Sequence, residues 1–384
     1  EFLVHFNKLP CQRLSSMAAD PSTWSDVRDL PYTSCLHTRL ANWMADLPPN
    51  LYNAPLRNLA IPGTHDSASF YLDKTSDLSP GEDPKIKSII DALAKLGQPF
   101  EQIGKDVVYN WAVTQNLCFT EQLNNGVRYF DLRVAMGKTD NSLYFVHGLY
   151  GSKVQSTLLE IAQWLISHPK EVVLLDFQHL YSIDGTQIDY STLKRLIAIL
   201  KETFSSKLCP PSIVPNPVDV TLANLWDNQH QVIARVLYSY KNEMQQKSAE
   251  RILWGSNVID SPWRNTPDIN TLMKFLDKQV RDESKFFVSQ AILTPDTDTI
   301  EGNPFGSLKS VLATPVMPHI LKWLNDKRSG SDSHGVNIVI ADFVDLDFLL
   351  AVIVLNYTLL PASSPPSRGD ALDEEASSEE DAPA

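Results

Sequence analysis

The sequence has 384 residues, of which 43% are hydrophobic and 21% charged, a composition typical of a globular protein. Its formal net charge of -13 excludes a protein that binds nucleic acid through a basic surface, and it argues against simple electrostatic adhesion to anionic membranes. The four cysteines have no CxxC spacing and do not predict a disulfide framework in a chain this long. We therefore expect a reduced, cytoplasmic location.

The charge and the apolar residues divide the chain into three predicted segments. Residues 361–384 hold seven acids, one arginine and no aromatic residue, which predicts a disordered acidic tail. Residues 1–39 are predicted as a partly irregular N-terminal extension and 40–360 as a single catalytic domain. The longest apolar run, 348–360, is shorter than the roughly 20 residues that cross a bilayer. We expect a buried final helix there and no transmembrane span.

Eight short apolar runs predict strands. Several of them are almost continuous in apolar residues, which is typical of a parallel strand that helices cover on both faces of the sheet. The predicted strands are 56–61, 127–134, 143–146, 171–177, 231–238, 252–258, 286–293 and 336–343.

Helical patterns alternate with many of these runs. Apolar residues at i, i+3 and i+4 spacing predict one buried face for each helix. The predicted helices are 154–168, 191–204, 269–280, 317–325 and 347–360. Eight strands alternating with helices predict an α/β fold, a (β/α)8 TIM-type barrel. We expect a distorted barrel, because 135–142 is too short for a covering helix and the fifth and sixth strands are joined only by polar residues.

Ionisable residues stand at the ends of four predicted strands. Barrel active sites lie at the carboxyl ends of the strands, so these side chains are expected to meet at one mouth. They are His65 and Asp66 after the first strand, Asp131 and Arg133 in the second, His147 after the third and Asp342 in the eighth.

Each of these residues also has a structural interpretation. A single histidine near a strand usually makes a structural hydrogen bond, and an aspartate in a glycine-rich turn usually caps that turn. Asp131 and Arg133 lie on one strand face, where a mutual salt bridge would account for both. Together, however, the residues suit phosphodiester cleavage. Two imidazoles can act as base and acid, an arginine can hold phosphoryl oxygens, and carboxylates can fix imidazole tautomers.

At these residues the sequence resembles a known family. The matching segments are LRNLAIPGTHDSAS at 56–69, TEQLNNGVRYFDLRV at 120–134, LYFVHG at 143–148, HPKEVVLLDF at 168–177 and NIVIADF at 337–343. They resemble the X-domain of phosphatidylinositol-specific phospholipases C, and in particular the stand-alone animal PI-PLC X-domain-containing proteins. The resemblance implies a PLC-like phosphodiesterase barrel that cleaves inositol phospholipid to diacylglycerol and an inositol cyclic phosphate.

The resemblance also implies roles for the six residues. The general base is expected to remove the proton of the inositol 2-hydroxyl, and the general acid to protonate the diacylglycerol oxygen. The implied roles are base for His65, acid for His147, partner of His147 for Asp66, partner of His65 for Asp342, phosphate contact for Arg133 and support of the cluster for Asp131.

The same comparison implies a site without metal. Calcium-dependent members of the wider family carry asparagine after the first histidine, whereas this sequence has Asp66. Arg133 stands where calcium would bring positive charge, and a guanidinium would compete with a divalent cation for that place. We therefore predict no metal and no cofactor.

Contacts to the inositol headgroup are harder to place. Gln178 and His179 fall near the end of the fourth strand, where the bacterial enzymes have a basic contact. Arg235, Asp260 and Arg264 are candidates on the fifth and sixth strands. Solvated loop charges account equally well for those three.

A lipid substrate requires the barrel mouth to reach a membrane surface. Phe70, Tyr71 and Leu72 follow the first strand and Trp263 lies in a strand-end loop, so they are candidate interfacial residues. Packing against the barrel rim is the equal alternative. We expect a monomer that is peripheral at membranes.

Two other functions remain open at this stage. A metal-dependent glycerophosphodiesterase could use a similar barrel, although the sequence lacks a Glu-x-Asp pair after the first histidine. A catalytically weak lipid-binding or scaffold protein could retain the same barrel.

Overall fold

The computed structural model describes residues 40–81, 97–186, 188–249 and 251–360, together with Lys87 and Lys95. The predicted extension 1–39 and acidic tail 361–384 lie outside the described residues. The strands are β1 Ile61–Thr64, β2 Tyr129–Met136, β3 Leu143–His147, β4 Leu149–Lys153, β5 Val173–Tyr181, β6 Val232–Val236, β7 Ile259–Asp260, β8 Phe286–Gln290 and β9 Ile338–Ala341. The α-helices are α1 Gln98–Ala112, α2 Phe119–Asn124, α3 Val154–Ser167, α4 Tyr190–Phe204, α5 Leu222–Asp227, α6 Glu243–Ala249, α7 Ile269–Asp277, α8 Thr297–Gly302, α9 Thr314–Asn325 and α10 Leu346–Val354.

The parallel strands form the predicted distorted barrel. Their order is β7, β8, β9, β1, β2, β5 and β6, and every pairing along this path is parallel. Helices α3, α4, α7 and α9 lie between successive strands along the chain. The nearly continuous apolar runs are therefore explained, because helices cover the outer face of strands whose inner face lines the barrel.

The predicted sixth strand, 252–258, is wrong in its extent. Trp254 alone pairs with Arg235 of β6, residues Ser256–Val258 form a 3-10 turn, and β7 then pairs with β8. Glycine, serine and asparagine within this run favour a turn over an extended chain. The broken strand spans the gap between β6 and β8, and this is where the barrel is most distorted.

The predicted third strand has the opposite direction to the one a barrel needs. β3 is antiparallel to β2 and forms a hairpin with β4. The sequence pattern did not predict β4, because Gly151, Ser152 and Lys153 interrupt its apolar residues. β1 pairs with β2 only as far as Thr64, opposite Phe130. Beyond that point β3 occupies the vacated side of β2, and its last residue therefore ends beside the barrel mouth.

The remaining predictions differ from the structure mainly at element ends. Residues Leu56–Asn58 form a 3-10 turn, so the first strand starts later than predicted. The polar link between β6 and β7 does contain a short helix, α6, which has no apolar periodicity. Helix α10 stops at Val354, and the side chain of Asn356 then pairs with the backbone N–H and C=O of Ala60 just before β1. Among the described residues, no helix is long and apolar enough to cross a membrane.

The inner face of the barrel has two layers. Side chains two positions apart along a strand point the same way, so each strand contributes an apolar residue below and a polar residue above. The lower layer contains Ile61, Tyr129, Leu174, Ile233 and Ile338, which belong to one buried cluster. The upper layer contains Asp131, Arg133, Asp176, Arg235 and Asp342 at the carboxyl ends of the strands.

Gly63 allows β1 to pack tightly between its neighbours. A Cβ atom at this position would lie 2.9 Å from Cβ of Tyr129 and 2.9 Å from Cγ2 of Ile340. A side chain here would collide with those of Tyr129 and Ile340, so the glycine makes room for both inside the barrel. The loop that carries the first two site residues follows one residue later.

Candidate active site

Three adjacent strands bring the predicted polar residues together. His65 and Asp66 follow β1, Asp131 and Arg133 lie in β2, and Asp342 follows β9. All but Arg133 are at most 9% exposed. Buried charges of this density require partners, because an unpaired charge is costly to remove from water.

His65 is oriented by Asp342. Its Nδ1 lies 2.8 Å from Oδ1 of Asp342 and donates a hydrogen bond to that carboxylate. Its backbone N–H also bonds the carbonyl of Ala341 at 3.3 Å. The Asp342 contact commits Nδ1 to a proton, so Nε2 is the ring nitrogen that can gain or lose one.

Asp66 connects both histidines and the arginine. Its Oδ2 lies 3.1 Å from Nε2 of His65 and 3.0 Å from Nε2 of His147, and its Oδ1 lies 2.5 Å from Nε of Arg133. The residue has a φ of 39°, in the left-handed region that aspartate tolerates better than most residues. This backbone turn places the carboxylate between the two rings.

His147 reaches the cluster from the end of β3. Its Nδ1 donates a hydrogen bond to the carbonyl of Ala112 at 2.6 Å, which leaves Nε2 facing Asp66. The ring centroids of His65 and His147 are 6.1 Å apart. Both imidazoles therefore present Nε2 to the same small region of the mouth.

The carboxylates keep His65 protonated. Burial by itself would lower the pKa of His65, but the charges of Asp66, Asp342 and Asp131 outweigh it and raise this pKa to about 9. Burial would raise the pKa of Asp66, yet Arg133 and the two histidines hold it well below its usual range. At neutral pH the resting site thus contains an imidazolium at His65 and a carboxylate at Asp66.

The neutral form of His65 has a different partner. A nitrogen of the Arg133 guanidinium lies 3.3 Å from Nε2 of His65. That contact is a hydrogen bond only when Nε2 is unprotonated and accepts, because a guanidinium can only donate. Arg133 is thus placed to stabilise the neutral imidazole that a general base requires.

Asp131 lies one step deeper in the barrel. Its Oδ2 is 3.9 Å from Nε2 of His65 and 3.4 Å from the backbone N of Asp66. Burial, together with the charge of Asp66, raises the pKa of Asp131 to about 6. This carboxyl therefore changes charge in a pH range where most aspartates are fully ionised.

One group of side chains in the site has the composition of a metal centre. Ligand atoms of His65, Asp66 and Asp131 all lie within 4.8 Å of one another. The Asp66 carboxylate is, however, already bound by Arg133 and by the rings of His65 and His147. A divalent cation there would have to displace or approach the guanidinium, so the donor set fits Arg133 better than it fits a metal.

Two of the predicted headgroup residues belong to a network below the histidines. Arg235 donates to Asp176 at 2.7 Å, and Gln178 donates to the other oxygen of the same carboxylate at 2.9 Å. Tyr129 donates to it as well, at 2.5 Å. Asp176 is thus an unpredicted member of the barrel's polar layer, and Arg235 is a buried ion-pair partner.

The other three predicted headgroup residues do not lie together in the structure. His179 stands beside Arg133 in the strand register and is exposed. Incomplete hydration caused by the surrounding protein and the Arg133 charge lower its pKa to about 4. Asp260 instead pairs with Lys285 at 3.1 Å. Arg264 is exposed and does not line the cleft above the histidines. The structure therefore favours solvated loop charges for Asp260 and Arg264.

A segment that the sequence pattern did not reveal holds the site together. Thr114 donates its hydroxyl to the carbonyl of His65 at 2.8 Å, and Gln115 donates to the carbonyls of His65 and Ala341 at 3.1 and 2.9 Å. Ala112 accepts from His147. We name residues 112–115 the polar clip. Only its place after a helix could have hinted at this role, because all these contacts are distant in sequence.

A cleft of about 680 Å³ opens above the histidines. His65, Arg133, His147 and Asp342 form its polar floor. Its walls are mostly apolar and come from α1 and from the loops around Trp263 and 293–308. The apolar wall residues include Ile103, Val107, Val108, Trp111, Leu293, Pro295, Ile300, Pro304 and Leu308.

The architecture is that of a phosphatidylinositol-specific phospholipase C barrel. A phosphatidylinositol-specific phospholipase C from Staphylococcus aureus superposes with a TM-score of 0.53 over 84% of this chain and 98% of that one, at 16% identity. The enzyme from Listeria monocytogenes gives 0.51 over 82% and 98%, at 20% identity. These likenesses confirm the predicted fold.

The sequence relatives are animal proteins. The chain is 41% identical over 322 residues to mouse PI-PLC X domain-containing protein 2, covering 82% of this chain and 87% of the relative. It is 36% identical to human PI-PLC X domain-containing protein 3 over 83% of this chain and 94% of that protein. No protein-family model matches the chain. The chain belongs to the family of PI-PLC X domain-containing proteins, as the resemblance predicted.

Proposed function

We propose that the protein is a metal-independent phosphatidylinositol phospholipase C, which cleaves inositol phospholipid by acid–base catalysis between two histidines. The observation that carries the proposal is the shared contact of Asp66 with His65, His147 and Arg133. One carboxylate holds the proton-transfer groups and the phosphate-binding cation in one place. A purely structural ion pair would not need both imidazoles.

The proposed reaction follows from the positions of the nitrogen atoms. Nε2 of His65 removes the proton of the inositol 2-hydroxyl, and that oxygen attacks phosphorus. The bond from phosphorus to the diacylglycerol oxygen breaks, and Nε2 of His147 donates a proton to the leaving oxygen. Arg133 contacts the phosphate and stabilises its developing charge. The products are inositol 1,2-cyclic phosphate and diacylglycerol.

The supporting residues fit this division of roles. Asp342 holds the Nδ1 proton of His65, and the Ala112 carbonyl holds that of His147. Each ring therefore exposes a single reactive nitrogen, as an orienting group ensures in other acid–base pairs. Asp131 supports the cluster from below through the backbone of Asp66.

We also propose that the cleft mouth contacts the membrane. Ile103 and Trp263 line the cleft and are 57% and 52% exposed, and Phe305 beside them is fully exposed. Such side chains suit insertion among lipid headgroups. Of the other interfacial candidates, Leu72 is buried in a cluster with Val108, so packing against the barrel rim accounts for it.

The remaining two candidates at that loop have protein partners. Phe70 packs against Phe119 with ring centroids 5.4 Å apart, and Tyr71 donates its hydroxyl to Glu160 at 2.5 Å. Packing against the rim therefore accounts for both, which leaves Trp263 from the predicted set. Together with the cysteine content, this face fits a cytoplasmic monomer that attaches peripherally to membranes, as we propose.

Hydrolysis of phosphatidylinositol vesicles with and without a chelator tests the proposal. We expect release of inositol cyclic phosphate that the chelator does not reduce, and its loss in both His65→Ala and His147→Ala. His319→Ala, an exposed histidine on α9, is the matched control and should retain full activity. Wild-type turnover that persists in both site variants would rule out the mechanism.

The same experiment separates the two alternatives. Loss of turnover in the presence of the chelator would favour a metal-dependent phosphodiesterase, with His65, Asp66 and Asp131 as the candidate metal ligands. Vesicle binding without release of diacylglycerol would instead identify a lipid-binding protein on the same barrel.

A further inference from the structure

A second polar pocket lies outside the barrel, away from the cleft. It is a cavity of about 30 Å³ between the outer face of β8 and the C-terminal ends of α7 and α9. We name it the Arg281 pocket. The side chains of its wall that matter here are Gln279, Arg281, Ser289, Trp323 and Lys327.

Arg281 is a buried cation without a direct ion-pair partner. It is 4% exposed, and no carboxylate in the described part of the chain lies within 4.0 Å of its guanidinium. Its contacts are two long hydrogen bonds, to the carbonyl of Gly335 at 3.3 Å and to the side chain of Asn58 at 3.4 Å. Burial and the charge of Arg57 lower the pKa of Arg281, and the more distant charges of Glu283 and Asp332 offset them only in part.

Two further donors of this wall are unused by the protein. Nε2 of Gln279 and Nε1 of Trp323 are buried, and neither has an acceptor within reach among the residues described. Ser289 donates its hydroxyl to Oε1 of Gln279 at 3.0 Å. That bond orients the Gln279 amide, and its NH2 group is the part without a partner. Nε of Arg281 is a third donor in the same condition.

The other buried arginines show how unusual this is. Arg128 pairs with Glu171 at 2.8 Å and Arg235 pairs with Asp176 at 2.7 Å. Buried polar groups in native proteins are almost always satisfied, and a group of unsatisfied donors calls for an acceptor. A lone buried charge is the costliest of these cases.

We propose that the Arg281 pocket binds a small inorganic anion such as phosphate. The anion would accept from Arg281, Gln279 and Trp323 and compensate the buried guanidinium. The cavity of about 30 Å³ is larger than the roughly 10–15 Å³ that a single water needs, so an ion of a few atoms fits. Lys327 and Asp277, which pair at 3.3 Å, both line the same wall, so their charges offset each other. The proposal does not depend on the activity proposed for the cleft.

Thermal unfolding of the full chain during a phosphate titration tests the site, with sodium gluconate keeping the ionic strength constant. To remove any binding in the cleft, the titration is made in an Arg133→Met background. We expect a saturable rise of the midpoint temperature, because a ligand that binds only the folded state stabilises it. Glycerol phosphate has one oxygen fewer to accept hydrogen bonds and a bulky substituent, so it should produce a smaller rise.

Three variants locate the response. Arg281→Met should weaken the apparent affinity for phosphate at least about tenfold, since bonds to a charged group carry much of the affinity. Trp323→Phe removes one donor and keeps the ring, so it should weaken affinity by a smaller factor even if Arg281→Met folds poorly. Arg328→Met, an exposed arginine that pairs with Asp332 nearby, should respond like the parent.

The same titrations can overturn the proposal. A midpoint that phosphate does not raise would contradict it, and so would an equal rise in Arg281→Met and Trp323→Phe. An equal rise with glycerol phosphate would show that the ligand is not restricted to small inorganic ions.

Discussion

Arg133 lies in β2 and Arg128 directly precedes that strand, yet the two arginines have different surroundings. Arg128 is fully buried at the amino end of the barrel, where Glu171 and the carbonyls of Leu40, Ala41, Leu123 and Val127 accept all its donors. Arg133 lies at the carboxyl end, and its side chain is 25% exposed to the cleft.

This difference indicates a structural role for Arg128 and a role in the proposed chemistry for Arg133. Arg128 has no donor left for a ligand and fastens the residues at 40–41 to the barrel. Arg133 shares one carboxylate with two histidines and turns the rest of its guanidinium toward the cleft. An arginine is free to bind a phosphate only when the protein leaves part of it unsatisfied.

Methionine substitutions at the two arginines should have the largest effects of all the variants considered. The substitution at Arg133 should mainly remove activity, and the one at Arg128 should mainly remove stability. Arg133→Met should reduce kcat/KM for phosphatidylinositol by about a thousandfold or more, because an electrostatic contact to the phosphate is lost. It should destabilise the fold less than Arg128→Met, because Asp66 keeps both histidines as partners. Arg128→Met should lower the free energy of unfolding by about 3–5 kcal/mol, because Glu171 is left as an uncompensated buried charge.

Vesicle hydrolysis and urea unfolding of the purified variants measure the two effects. If Arg128→Met lost activity while remaining as stable as the wild type, the division between a structural and a catalytic arginine would be wrong.

The sequence predicted which side chains meet at the barrel mouth better than it predicted the direction of the strands and the contacts of the loops. The positions of Asp131, Arg133 and Asp342 in or after predicted strands led us to expect them at one mouth, and the structure brings all three close to His65. The direction of β3 could not be predicted, because a short apolar run looks the same in parallel and antiparallel strands. The polar clip was also out of reach, since its hydrogen bonds join residues 35 to 229 positions apart.

The titration of His65 should reveal its charge in the resting site. The carboxylates raise the pKa of His65 to about 9. We therefore expect its imidazole to titrate near pH 9 in NMR spectra of the free protein, whereas kcat/KM depends on both imidazoles and does not report one of them alone. Asp342→Asn removes one of the charges that raise this pKa, so His65 of that variant should titrate at a lower pH.

A His65 imidazole that titrates near its ordinary pKa would contradict the resting charge assigned to it. His319→Ala, whose imidazole is outside the cleft, should leave the titration of His65 unchanged.

The polar clip provides a smaller and more specific effect. Thr114→Val removes the hydroxyl that bonds the carbonyl of His65 and keeps the shape of the side chain. We expect kcat to fall about tenfold with KM unchanged, because loss of a buried hydrogen bond costs about 1–1.5 kcal/mol and shifts the base. Thr114→Ser keeps the hydroxyl and should restore most of the activity. Equal kcat values in the valine and serine variants would remove Thr114 from the positioning residues.

The smallest expected effect lies at the cleft mouth. Trp263→Ala should weaken binding to phosphatidylinositol vesicles about fivefold, because a partly exposed indole loses its insertion among the headgroups. Hydrolysis of a water-soluble inositol phosphodiester should be unchanged, since the indole does not touch the polar floor of the cleft. The matched control is Ile166→Ala, which alters a 70% exposed residue on α3 near the amino ends of the strands. Vesicle sedimentation measures the binding, and an equal loss in both variants would show that exposed apolar surface in general, and not the cleft mouth, attaches the protein to the membrane.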